Sequence, residues 1–225
     1  MLWLNLRQEL ITSESEENMP SQLLNLKKQL QWSDFGAPVK TPAPGPGQRA
    51  TAALTRSNYT ISLNAEHIPG TKPPRFRLKD DVRISVVLKR PPSFVASWTL
   101  QQASADQTRI LHHEQGHYDL VALLVRDMFI DLMQLKQNTY DTAQAVMTDV
   151  ARVRGLYDPK FQPINDRYDA PNESDHGLNQ PGQKRWDGFI QTAFTQPRNP
   201  PMQAPDGTMY KTPILTVLQQ AGITI

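Results

Sequence analysis

Between Ser104 and the polar cluster "NTYDT" at 138–142 the chain runs without a proline and with a single glycine, Gly116. That uninterrupted stretch limits the fold more than any other feature. Ser104 and Gln107 have the spacing of a capping box, so a helix is predicted from about 105 to 137. Leu111, Tyr118, Val121, Val125, Met128, Leu132 and Leu135 recur at intervals of three, four or seven, which makes an apolar stripe of helical period. A helix this long with such a stripe belongs in the core, and the rest of the chain must cover it.

Upstream, the residues alternate with a period of two. In "NYTISLNAEHI" the apolar positions are Tyr59, Ile61 and Leu63, and in "DDVRISVVLK" they are Val82, Ile84, Val86 and Leu88, so two strands with one buried face each are predicted. "KPPRFRLK" between them alternates basic and apolar residues, as an edge strand with a positive face would. Before them, 37–48 is rich in proline and glycine and reads as an irregular surface loop. Downstream, a second helix is predicted from about 142 to 156, with Val146, Val150 and Val153 on one face, turning back antiparallel to the first. The proline-, asparagine- and aspartate-rich segment 157–183 reads as a long loop. "GQKRWDGFIQTAF" carries Trp186, Phe189, Ile190 and Phe194 at helical spacing. "PDG" at 205–207 marks a turn, and "KTPILTVLQQAG" offers a cap at Thr212, proline at the first helical position and glycine past the end.

The expected architecture is therefore α+β, with residues 31–103 mainly strand and 104–225 mainly helix in a single domain spanning 19–225. Residues 1–18, polar and acidic after a short apolar start, are expected to be a disordered extension, with Met19 an alternative start. A length of 225 residues suits one domain with a substantial core. The charge balance, 24 basic against 22 acidic residues, gives no reason to expect a nucleic-acid partner. Residues 72–90 hold seven basic residues and two acids, but only Phe76 interleaves as an aromatic, so a solvated strand face is the expected reading. The longest apolar run, Leu120 to Val125, is far too short to span a bilayer. With no export signal evident at the start, the expected location is the cytoplasm.

The chain has no cysteine. A transition-metal site would have to be built from histidine and carboxylate, and "HHEQGH" at 112–117 puts three histidines and a glutamate within six positions of the long helix. His113 and His117 are four residues apart, so they leave the helix on one face about one turn from each other and can reach one ion. Glu114 then projects beside that ion, where it could take a proton from water. His112 would need its partner at position 116, which is glycine, so it is expected to flank the site. At Gly116 either another element approaches the helix closely or the glycine is a tolerated surface position.

Leu120 and Leu123 exclude the arrangement in which a third histidine follows on the same helix. The first candidate for the third ligand is His176, in the long segment that could fold back over the helix. Glu173 and Asp175 are the alternatives, by analogy with zinc sites of two histidines and one carboxylate. Tyr168 is a candidate hydrogen-bond donor to a developing oxyanion, against a purely structural role. His67, at the end of a predicted strand, is expected to have a surface or packing role.

Taken in order, "LQWSDF", "ATAALT", "RLKDDVRISVVL", "SFVASW", "LHHEQGHYDL" and "YDAPNESDHGLNQPGQKRWD" resemble a bacterial family, domain of unknown function nine-two-two, described as predicted zinc-dependent proteases. The resemblance spans about Gln31 to Ile190. It implies a zincin-like fold, zinc held by His113, His117 and His176, Glu114 as general base, and a peptide or protein substrate. The alternative expectation, from a different class, is a non-catalytic protein in which zinc locks the segment 157–183 onto the helix, closed by a fourth protein ligand such as Asp175 or Glu173.

Overall fold

In the computed structural model, residues 20–45, 50–203 and 209–225 are described. The expected disordered extension at 1–18, the Met19 start, the end of the 37–48 loop and the turn at 205–207 lie outside the described residues.

The order of elements is a β-rich first part and a helical second part, as the two periodicities predict. Strand β6 (Arg83–Leu88) is the middle of a three-stranded mixed sheet, parallel to β1 (Gln22–Leu24) and antiparallel to β3 (Ser57–Ser62). Two short antiparallel ribbons accompany it, β2 (Ala53–Leu54) with β7 (Phe94–Val95) and β4 (Ala65–His67) with β5 (Phe76–Leu78). The alternation sets the burial, since Ile84 and Val86 turn inward while Arg83 and Ser85 stay partly exposed. In β5, Leu78 is buried and Arg77 faces out to pair with Glu66, so the basic–apolar alternation is indeed a strand with one charged face.

Helix α1 (Ser104–Leu135) is the axis of the molecule. The capping box does not form: the helix starts on Ala103 without a side-chain cap, and Gln107 instead donates to the carbonyls of Leu100 and Gln102 in the preceding turn. The foreseen stripe, from Tyr118 to Leu135, packs against the sheet and α2 (Ala143–Tyr157), whose Val146, Val150 and Val153 face it. A second stripe, Leu120, Leu123 and Leu124, packs on the opposite side against the C-terminal helices. From Leu120 to Met128 every residue is buried, so the middle of α1 has no solvent face.

That burial includes Arg126 and Asp127. They pair with each other, and Arg126 also donates to the carbonyls of Ala193 and Thr212. The second carboxylate oxygen of Asp127 accepts the backbone N–H of Ile214 at 2.9 Å, which caps α5 (Ile214–Gln220). The expected cap, Thr212, points elsewhere, to the carbonyls of Gln196 and Pro197. A cap supplied from a helix 87 residues away has no local sequence signal.

The largest departure from expectation is at 157–183, which is mostly helical rather than a loop. A 3-10 turn at Asp158–Lys160 leads into α3 (Phe161–Asp169), and α4 (Gln180–Thr195) begins at Gln180. Two of the four prolines that suggested a loop sit in first turns of α-helices: Pro163 is the third residue of α3, and Pro181 is the second of α4, which Asn179 caps through Gly182. There a missing N–H breaks no helical bond. Only 170–179 remains irregular, and it carries both expected and unexpected parts of the site.

Candidate metal centre

Two helices each contribute a pair of side chains four residues apart. His113 and His117 of α1 face Asn165 and Asp169 of α3, and the pairs interlock. Nε2 of His113 and Nε2 of His117 each lie 3.0 Å from Oδ1 of Asp169, and 3.2 Å from each other. Both imidazoles are buried. Among the described residues these are the group whose ligand atoms lie close enough together to share a metal ion.

The outer nitrogens fix which way the inner ones point. Nδ1 of His117 meets Oδ1 of Asn165 at 2.6 Å, and the Asn165 amide is oriented by its own N–H donation to the Phe161 carbonyl. Nδ1 of His113 meets Oε1 of Gln183 at 3.1 Å, and the Gln183 amide is oriented by donation to Asp187 and to the Tyr168 hydroxyl. Each amide thus presents an oxygen, which only accepts, so each Nδ1 carries the proton. Both Nε2 atoms are left with lone pairs, aimed at each other and at a carboxylate. Three converging electron-rich atoms in a buried place require a positive charge between or upon them. Zinc bonded to nitrogen and oxygen at about 2.0–2.2 Å puts neighbouring ligand atoms roughly 3.3–3.5 Å apart in a tetrahedron, within a few tenths of an ångström of the separations here. The donor set fits zinc.

The electrostatics agree. Burial works against ionisation of Asp169, but in the metal-free site, where protons on the imidazoles take the place of a cation, hydrogen bonds from His113, His117 and His176 outweigh it and hold the carboxyl well below the usual carboxylate range. Burial likewise opposes a charge on His117, yet the bond to Asp169 and the nearby Glu114 carboxylate raise its pKa. The site attracts a cation or, lacking one, a proton.

Glu114 is buried beside the triangle, and its Oε2 has no hydrogen-bond partner. It lines a cleft of about 620 Å³ together with His113, His117, Asp169 and His176. The opposite wall includes the segment from Ala50 to Leu54, which contains β2. Among the described residues this strand pairs only with β7, and the Ala52 carbonyl is used on that side by Ala96, so the alternating main-chain groups of Ala53 face away from β7.

The remaining expected residues fall in different places. His176 sits at the cleft, with Nδ1 3.4 Å from Asp169 Oδ1 and its side chain 62% exposed. It is adjacent to the triangle, and the third position is taken by Asp169, which sequence reasoning missed. The backbone of Asp175, His176 and Gly177 is left-handed at three successive residues, and Gly177 abuts the His113 side chain. Asp175 lies in that turn, outside the convergent group. Glu173 points away: it is buried against Trp186 Nε1 at 3.0 Å and paired with Arg167 and Arg185.

Tyr168 is fully buried and stacked on His113 at 4.7 Å between ring centroids. Its hydroxyl donates to the His113 carbonyl rather than facing the cleft, so the position expected to serve an oxyanion instead holds the metal helix in place. This explains Gly116, where any Cβ would stand 2.3 Å from the Tyr168 hydroxyl. His112 flanks the site as foreseen, its Nε2 3.0 Å from Asp187, the carboxylate that orients Gln183. His67 is exposed at the end of β4 and contacts Phe76 edge-on.

Compared with family models, curated proteins and solved structures, the chain matches none of them.

Proposed function

We propose that this chain is a zinc-dependent peptide hydrolase with a zincin-like site, in which His113, His117 and Asp169 hold the metal and Glu114 is the general base. The observation that carries the reading is the unpartnered Glu114 oxygen, buried at the edge of an open cleft and next to three metal-competent atoms. A buried carboxylate oxygen without a partner is costly unless its task lies in the cleft.

Zinc in such a site supplies Lewis acidity, polarising a carbonyl and acidifying water. The Glu114 carboxylate takes the proton of the attacking water and hands it to the departing amine. Asn165 and Gln183 keep the two imidazoles in the tautomer that leaves Nε2 free. The edge of β2 turned away from β7 lines the cleft and offers main-chain groups to which an extended peptide can add as a further strand.

His176 favours a second reading. A small rotation would bring it onto the metal as a fourth ligand, giving a closed, structural zinc site in a binding protein. The deciding experiment is hydrolysis of a mixed peptide library by zinc-loaded wild type and Glu114→Gln, with zinc content measured on both. The hydrolase reading expects one zinc in each and a loss of turnover of about 10²-fold or more in the variant. Undiminished cleavage by the variant would refute Glu114 as base, and a zinc-loaded wild type that cleaves no peptide would leave the structural site.

Four of the seven basic residues at 72–90 are paired within the fold, with Arg75 on Asp141, Arg77 on Glu66, Lys79 on Asp81 and Arg90 on Asp34. Among the described residues, no helix is long and apolar enough to cross a membrane.

A further inference from the structure

Two arginines line the same cleft as the metal-competent residues. Arg56 lies just beyond β2 on one wall, and Arg109 lies on α1, four residues before His113. A separation of four places Arg109 on the His113 face of the helix, about 6 Å away along the axis.

Neither guanidinium is used up. Arg56 donates from Nη1 to the neutral amide of Gln162 at 2.8 Å and has no carboxylate partner among the described residues. Its backbone is fixed from both sides by the Ser93 hydroxyl, so the side chain starts from a rigid base. Arg109 reaches the Gly177 carbonyl and the exposed Asp106 only at 3.4 Å each, at the long end for such bonds. A guanidinium has five N–H donors, so each arginine keeps several for a ligand. Elsewhere on the surface the arginines at 75, 77 and 90 meet carboxylates.

Along an extended peptide, successive residues are about 3.3 Å apart, so a guanidinium one helical turn from His113 meets a side chain one or two residues from the bond over the metal-competent atoms. Arginine forks match carboxylates in shape and charge. We propose that the cleft selects peptides with an aspartate or glutamate within two residues of the scissile bond, and that Arg56 and Arg109 recognise that carboxylate. This rests on the hydrolase reading above.

The test uses the zinc-loaded full chain and matched fluorogenic peptides that differ only in Glu, Gln or Lys at each position flanking the cleaved bond. At one position, Glu should exceed Gln in kcat/KM by about 10-fold or more, the usual scale of a charge-assisted bond. Arg56→Gln and Arg109→Gln should each shrink that ratio, and Arg56→Glu should turn the preference toward Lys. Zinc content and circular dichroism show that each variant is folded, and the two arginines give independent arms if one is not. Cleavage by wild type without preference for Glu at any position, or a preference retained in both glutamine variants, overturns this inference and leaves the hydrolase intact. Absence of all cleavage overturns the hydrolase reading, and this inference with it.

Discussion

At the level of single residues, the candidate site depends on groups outside the three metal-competent side chains. Asp187 orients Gln183, and Gln183 in turn decides which nitrogen of His113 is free. Asp187→Asn can present an N–H to Gln183 and let its amide turn over, which would set His113 in the wrong tautomer. Zinc affinity should then fall by about 10- to 100-fold, as measured by competition with a chromogenic chelator, with little change in thermal stability. A variant that binds zinc as tightly as wild type would show that the tautomer is fixed otherwise. Gly116 makes a complementary case through packing. Gly116→Ala would drive a methyl into the Tyr168 hydroxyl, which is itself confined by Gln183 and the His113 carbonyl. We expect a loss of about 1–3 kcal/mol in urea denaturation, partly recovered in the double variant with Tyr168→Phe.

At the level of elements, Asp127 is the contact by which α1 holds α5. Asp127→Ala leaves the Arg126 guanidinium buried with carbonyl partners alone and uncaps α5. A loss of about 3–5 kcal/mol is expected, with hydrogen exchange accelerated first at 214–220; an unchanged denaturation midpoint would contradict the pairing. How much of this could be read beforehand differs by element. The strands at 57–62 and 83–88, α2, and the stripe of α1 facing the sheet were legible because local period and burial agree. The second stripe was not, since Leu120, Leu123 and Leu124 fall between members of the first and blur the period. Helix α3 was hidden by its prolines and polar residues, and it takes its order from Ile164 and Tyr168 packing onto α1. Missing α3 meant missing Asp169. His113, Glu114 and His117 are readable from one helix, whereas the third ligand position becomes visible only once Asn165 and Asp169 are recognised as another pair spaced by four.

For the molecule as a whole, acidity should act through opposed carboxylates. Burial pushes Asp119 up to about 6, with the Gln115 hydrogen bond pulling the other way. Its native pKa exceeds the unfolded value, so the native state binds the proton more tightly, and this group's contribution to stability declines as pH rises from about 4 to 6. Asp169 acts in the other direction: its pKa is depressed, so its contribution is present above about pH 4 and is lost as pH falls below that. Metal-free Asp119→Asn should therefore be more stable than wild type at pH 7 and equal to it below pH 4 in urea titrations. A difference of the same size at both pH values would assign the effect to something other than ionisation.

The enclosed middle of α1 has a further consequence for how the chain can change. One residue inserted between His117 and Leu120 would turn everything beyond it by about 100° relative to the motif. Both cores would then be out of phase with the metal-competent face. Insertions and deletions in this helix therefore cannot be absorbed locally, while the more exposed part of 170–179, beyond the buried Glu173 and Ser174 that anchor the turn, can change without shifting that phase. New variants of the site should come from re-routing that turn across the cleft, with the helix that presents the histidines left at constant length.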